Sequence, residues 1–378
     1  MLSPMNRPTF ILSAGLAALL VAFVLWWRAT PSGADAEKAA NDEATRAAEL
    51  AQRSSRGDAE SRSDEPEWRT GGTSDSDPRV AKLFQGLRGG ARRGRISRQA
   101  IETFLASTQR SGGSLLAAWE ESGDEAYLRE AAKRFPDDPR VQLAAAMSPS
   151  FGSERAAWVE RLKKSDPANP LPNWIAAAEH FSGKRSKEAI AELLGADGKT
   201  GFQNYSQAMV AERWALFEAS GIEPMRAQVE AQLNIKYDYL GRLQSAARGI
   251  ENELKNLRAS GDTRTAQDLS ATAVNIGRIM SGNSQGSLID QLVGLSVESS
   301  ALKQIPPGEA MAVLGTTTEQ RAADLEKQRR ELLELGRVAG EVVKGKATME
   351  EVTQYFERRK RDGELAALRW LTTQRAGR

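Results

Sequence analysis

The chain is expected to fold as an all-α protein, and three observations predict it. No run of alternating β-branched residues bounded by turn residues announces a strand. Helix-start signals recur at a fixed interval, with Asp138-Pro139 and Asn169-Pro170 set 31 residues apart. Beyond residue 221, long stretches keep apolar residues at helical spacing between obvious breakers. The full architecture expected is an N-terminal transmembrane helix, a disordered linker, and an α-hairpin repeat stack continuing into a C-terminal helical region. The segments are 1–28, 29–80, 81–221 and 222–378.

The first segment holds FILSAGLAALLVAFVLWW, the 18 uncharged residues Phe10 to Trp27, bracketed by Arg7 and Arg28. As a helix it is about 27 Å long, close to the roughly 30 Å hydrocarbon core of a bilayer. Trp26, Trp27 and Arg28 form the aromatic and basic edge that favours a membrane interface. Ala34-Asp35-Ala36 resembles a signal cleavage site, but a signal peptide's apolar region is usually only about 7–15 residues long. A retained single-pass anchor is therefore expected, with the lipid bilayer contacted through Phe10 to Trp27. Positive-inside counting does not fix the orientation; a short tail before a large body suits an exported body.

Residues 29–80 contain only Leu50, Trp68 and Val80 as large apolar residues, too few to offset the entropy of ordering. Twelve acidic residues face seven basic ones there. As a coil of roughly 50 residues, with about 5–6 Å × √n end to end, the linker lets the body range some 40 Å from the bilayer. Charge then inverts. LRGGARRGRISRQ carries Arg88, Arg92, Arg93, Arg95 and Arg98, which could contact anionic lipid, nucleic acid or an acidic partner, or form a solvated Gly/Arg loop. No aromatic alternates with these arginines, so no stacking platform for single strands is indicated.

Order resumes at Ser97, an N-cap for a helix with Ile101, Phe104 and Leu105 on one face. Ala126 to Pro139 then aligns with Ala157 to Pro170, placing Tyr127 on Trp158, Lys133 on Lys164 and Pro139 on Pro170. The same offset brings Leu143, Trp174 and Tyr205 together, and Ala146, Ala177 and Ala208. Each unit reads as two short helices, with small residues allowing close approach and aromatics filling the layers.

The best unit, residues 174–194, resembles the tetratricopeptide-repeat family. Trp174 stands at that family's Trp position, Ala178 at its small residue, Phe181 at its Tyr and Ala189 near its Ala. The resemblance covers roughly residues 112–221 and implies a right-handed helical stack whose concave side holds a peptide or partner protein. Gln142, Asn173 and Asn204 occupy equivalent positions in three units. They could form a carboxamide ladder for an extended peptide backbone, or be exposed first-turn polar residues.

In the C-terminal region Pro224 opens a segment expected to run to Ser260. Asp262 caps another to Met280, and Ser287 to Gln304 forms a third. After Pro306-Pro307, helices are expected over Thr318 to Val343 and Met349 to Gln374. Leu325, Leu332 and Ala339 lie seven apart, which reads as a coiled-coil seam or a core-facing helix.

Composition narrows the function. Lys plus Arg is 52 and Asp plus Glu is 50, so nucleic acid is not an expected partner. With no cysteine and a single histidine, His180, thiol catalysis, cysteine-based metal sites and most Ser-His chemistry are removed. Gly282 to Gly286 fits G-x-S-x-G, but a helix is expected before it and His180 lies upstream, contrary to that motif's mechanics. Ser300-x-x-Lys303 and Lys199-Thr200-Gly201 stand in reversed order for a penicillin-binding enzyme. Gly198-Lys199-Thr200 lacks the first glycine of a phosphate loop, since Leu193 occupies its place. No catalytic residue, metal or cofactor is assigned. The expected function is a membrane-anchored scaffold that binds a protein or peptide partner. The alternatives are an envelope protein that self-associates through its C-terminal helices and a hydrolase of envelope polymers.

Overall fold

A computed structural model describes residues 77–80, 83–84, 96–233, 235, 237–283, 286–305 and 315–376. Among these the protein is all-α, with fifteen α-helices from residue 98 onward and no β-strand. The expected span Phe10–Trp27 and most of the expected linker lie outside the described residues. Among the described residues no helix is long and apolar enough to cross a membrane.

The first seven helices are short: α1 (Arg98–Ser107), α2 (Gly112–Ser122), α3 (Glu125–Arg134), α4 (Pro139–Met147), α5 (Arg155–Ser165), α6 (Leu171–Ser182) and α7 (Ser186–Leu194). Side-chain oxygens begin several of them. Ser97 accepts from the Ala100 N–H, and Asp138 accepts from the Arg140 N–H with Pro139 in the first turn. Asn169 accepts from the Leu171 N–H at the start of α6. From α1 to α7 each helix packs on the one that follows it along the chain, so the stack grows by local contacts. Trp158 and Trp174 are buried between layers, and Tyr205 is half-buried.

The chain continues through α8 (Ser206–Ala219), α9 (Pro224–Leu233), α10 (Asp238–Ala259), α11 (Thr263–Gly282) and α12 (Leu288–Leu302). It closes with α13 (Thr318–Val343), α14 (Met349–Asp362) and α15 (Glu364–Ala376). Here the chain turns back: α8 packs on α2, α10 on α6, and α11 on α7. Leu325, Leu332 and Ala339 are all buried on α13, which lies against α12 and α15; the seven-residue spacing marks a core-facing helix. One hydrophobic core runs from Val80 to Leu371, and Val210, Phe217, Ala227 and Ala231 form a smaller one between α8 and α9.

Three boundaries depart from expectation. The helix expected over 224–260 is broken between Leu233 and Asp238, and the break sends Tyr237 and Tyr239 toward interior polar groups rather than along one helix face. The helix expected over 349–374 is broken at Gly363, whose φ of 90° and ψ of 167° no helix accommodates. The expected linker ends too late: residues 78–80 are helical, Val80 and Phe84 are buried, and the Asp77 N–H donates to the Ala347 carbonyl. Val80 and Phe84 supply the apolar area that the acidic stretch before them lacks.

Candidate binding cleft

A cleft opens where α2, α4, α8 and the start of α10 converge. Its apolar wall comes from Trp119, Leu143, Met147, Met209, Val210 and Ile235. Met147 and Met209 are half-buried, and their unbranched thioethers adapt to differently shaped occupants. Arg140, Arg213, Glu120 and Asp238 supply charge, while Asn204, Tyr205 and Tyr239 close the inner end.

Both guanidiniums are engaged by carboxylates. Arg140 meets Asp138 at 2.7 Å and Glu212 at 3.4 Å. Burial works to raise the Asp138 carboxyl, but hydrogen bonds from the Arg140 side chain and backbone hold it below its ordinary value. Arg213 is 4% exposed, lies 3.7 Å from Glu120 and 3.8 Å from Glu121, and donates to the Ala231 carbonyl. Its guanidinium also stacks over the Phe217 ring at 5.6 Å. The charges that line the cleft are thus fixed by the fold.

Tyr205 stands at the inner end with φ of 56° and ψ of 9°, a left-handed conformation that is costly for a bulky residue. Its hydroxyl donates to Asp166 at 2.6 Å, and the Asn204 side chain accepts from the Ser206 N–H, so the turn is held from both sides. Burial, reinforced by Asp166, pushes the Tyr205 hydroxyl pKa upward.

Behind this turn lies a buried polar network. Asn204 Nδ2 donates to Tyr239 Oη at 2.6 Å and to Asp290 Oδ2 at 3.0 Å. The Tyr239 hydroxyl donates to Asp290 Oδ1, and the Ser287 N–H and hydroxyl donate to Asp290 Oδ2. Burial pushes the Asp290 carboxyl above its ordinary value although all these donors oppose the shift. Burial beside that carboxylate raises Tyr239 far above the usual phenol range. A neighbouring set joins Arg359 to Glu364 at 3.3 Å, while Glu364 Oε2 accepts from the Leu288 N–H. The network ties the cleft's inner end to the first turn of α12.

The three equivalent carboxamides are placed separately. Gln142 is fully buried and donates to the Pro136 carbonyl and Ser165 hydroxyl, both at 2.8 Å. Asn173 is buried between Glu192, to which it donates at 2.9 Å, and Lys199, from which it accepts at 2.7 Å. Only Asn204 lines the cleft. No hydrogen bond joins any two of the three, and Gln142 and Asn173 are not exposed first-turn residues either. Sequence equivalence placed them at interior helix starts, where a carboxamide serves the fold. Of the arginine cluster, Arg98 is the exposed first residue of α1; Arg88, Arg92, Arg93 and Arg95 lie outside the described residues.

Sequence reasoning missed Arg140, Arg213, Tyr239 and Asp290. Ser287-x-x-Asp290 is readable as a capping box, and the structure has that box. The reach of Asp290 to Asn204, 86 residues away, has no local signal. Among the described residues no group of three or more His, Cys, Asp or Glu could hold a metal ion. No protein-family model, curated protein sequence or solved structure matches the chain.

Proposed function

We propose that the helical body is a binding scaffold, similar in its repeat units to tetratricopeptide-repeat proteins, that holds a peptide segment of a partner in the cleft between α2, α4, α8 and α10. In this reading the apolar segment Phe10–Trp27 anchors the chain in a bilayer and the body works near that surface, exported from the cytoplasm. The observation that carries the reading is the cleft itself, which sets adaptable methionines against charges held in fixed positions.

The rest of the described surface favours a cleft over a flat apolar interface. Leu194 is its only large hydrophobic residue in the exposed class, at 38%. On α13 to α15 Trp370 is covered by the Arg358 guanidinium at 4.7 Å, so these helices offer little apolar surface for self-association. The test is photo-crosslinking in cells, with a photoreactive residue at Met147 in the cleft or at the exposed Lys327 on α13. A discrete crosslinked partner from position 147, absent from 327 and lost when Ala144→Trp fills the cleft, is the expected result. Crosslinks only from 327, or none from 147, would refute the cleft as the binding site.

A further inference from the structure

Resting on the cleft as the binding site, we infer that Glu364, at the junction of α14 and α15, is a positioning residue for it. Glu364 acts through the first turn of α12, which holds Asn204 and Tyr239 in the cleft's inner wall. The first N–H groups of a helix have no partner within it and must find one elsewhere. In α12 the Ser287 N–H donates to Asp290 Oδ2 at 2.9 Å, and the Asp290 N–H donates to the Ser287 hydroxyl at 3.1 Å. The Leu288 N–H, between them, donates to Glu364 Oε2 at 3.0 Å, 76 residues further along the chain. The same turn carries the Asp290 carboxylate, which accepts from Asn204 Nδ2 and from the Tyr239 hydroxyl. Both of those residues line the cleft, to which α14 and α15 supply none of the lining residues. A shift of this one turn therefore moves the carboxylate on which two cleft residues depend.

Stability alone is a poor account of the groups around Glu364. Its partner Arg359 lies 3.3 Å away and donates to the Tyr355 hydroxyl at 3.4 Å, while the Arg359 Nε has no acceptor among the described residues. Both side chains are buried. A buried ion pair with long or missing hydrogen bonds stabilises weakly, and apolar side chains of similar volume would serve the core as well. They would not hold the Leu288 N–H. The break at Gly363 sets Glu364 at the start of α15, and Arg359 compensates its charge there. Asp290 is buried as well, so no bulk water takes over a bond that the turn gives up. Coupling of this kind is reciprocal: an occupant that moved Asn204 would be felt at the hairpin of α14 and α15.

The chain has no cysteine, so Met209→Cys puts a single thiol in the cleft lining. Its rate of reaction with DTNB is read on the full chain in detergent with no partner present. In that background Glu364→Ala should raise the rate at least about tenfold, the factor that a lost hydrogen bond to a charged group corresponds to. Glu364→Gln, whose amide oxygen still accepts from the Leu288 N–H, should raise it by less than about threefold. Arg321→Met breaks a different buried pair on α12 and leaves the first turn intact, so it separates lost stability from lost positioning and should also stay below about threefold. If Glu364→Ala does not fold, Leu288→Pro replaces it, because proline suits a first helical position and removes the N–H. A rate unchanged from the parent overturns the inference, as does a rise that Arg321→Met or Glu364→Gln matches. Because the thiol reports on the cleft without an occupant, none of these outcomes bears on the peptide reading, which the crosslink from position 147 decides.

Discussion

A Cβ placed on Gly277 would stand 2.8 Å from the carbonyl oxygen of Gly294, and one placed on Gly294 would stand 2.7 Å from the carbonyl oxygen of Gly277. The backbones of α11 and α12 are therefore in contact at this pair, and these two helices form the most extensive helix pairing among the described residues. The surrounding atoms include backbone on both sides, so no side-chain rotation relieves an added methyl group.

Gly277→Ala and Gly294→Ala should each lower unfolding free energy by about 1–3 kcal/mol, as overpacking does. Gly241, exposed on α10 with open space around its Cα, provides the opposite sign. Gly241→Ala should raise stability by about 0.5–1 kcal/mol through the lost backbone entropy alone. Urea denaturation of the three variants checks both directions.

Arg321 grips Glu298 through two hydrogen bonds of 2.6 and 2.9 Å, and Glu298 is fully buried. Arg321→Met should cost about 3–5 kcal/mol, because it leaves a buried carboxylate without its partner. Burial already pushes the Glu298 carboxyl upward against the pull of Arg321. A group with a raised folded pKa stabilises at low pH and loses that contribution as pH rises, so the variant's deficit should shrink on acidification. The double variant Glu298→Leu, Arg321→Met should recover most of the loss at neutral pH.

Asp290→Ala removes the acceptor for Tyr239, Asn204 and Ser287, leaving buried donors unpaired. The expected cost is roughly 3 kcal/mol or more, from about 1–3 kcal/mol per stranded group. A cycle of Asp290→Ala with Asn204→Ala should be non-additive, since the two share one hydrogen bond and a common partner. Additive losses in denaturation would show that the cleft and α12 are not coupled through this network.

Arg110 bridges Glu102 at 2.7 Å and Glu130 at 2.6 Å, and its hydrogen bonds are the main cause that lowers both carboxyls. Lowered folded values give stability that is present above the ordinary glutamate value of 4.5 and is lost as pH falls through the lowered values. Arg110→Gln should flatten the acid limb of the stability curve. Both glutamates are partly exposed, so the difference at neutral pH should be about 1 kcal/mol or less. Thermal melts from pH 7 to pH 3 measure it.

What was legible in the sequence is local. Ser97, Asp138 and Asp262 were readable as caps because a side-chain oxygen acts within three residues of itself. The buried face of α13 was readable because Leu325, Leu332 and Ala339 recur within one helix. Gly363 gives no local sign of the break it makes, because a single glycine in a helical pattern is often tolerated. The break before Asp238 has no local signal, because Tyr237 and Tyr239 fit a helix as readily as they fit the polar interior they enter.

The sequence by itself determined the helical content of the described body, the places where most helices begin, and the poverty of reactive side chains. Each of these depends on neighbours along the chain or on composition. Only the tertiary structure decided that Asn204 belongs to a cleft while Gln142 and Asn173 belong to the interior. It also decided that Asp290 reaches that cleft from behind. The reason is that the chain returns on itself: α8 meets α2, and α10 meets α6, so the charge and shape of the cleft arise from segments whose spacing in sequence carries no trace of their contact.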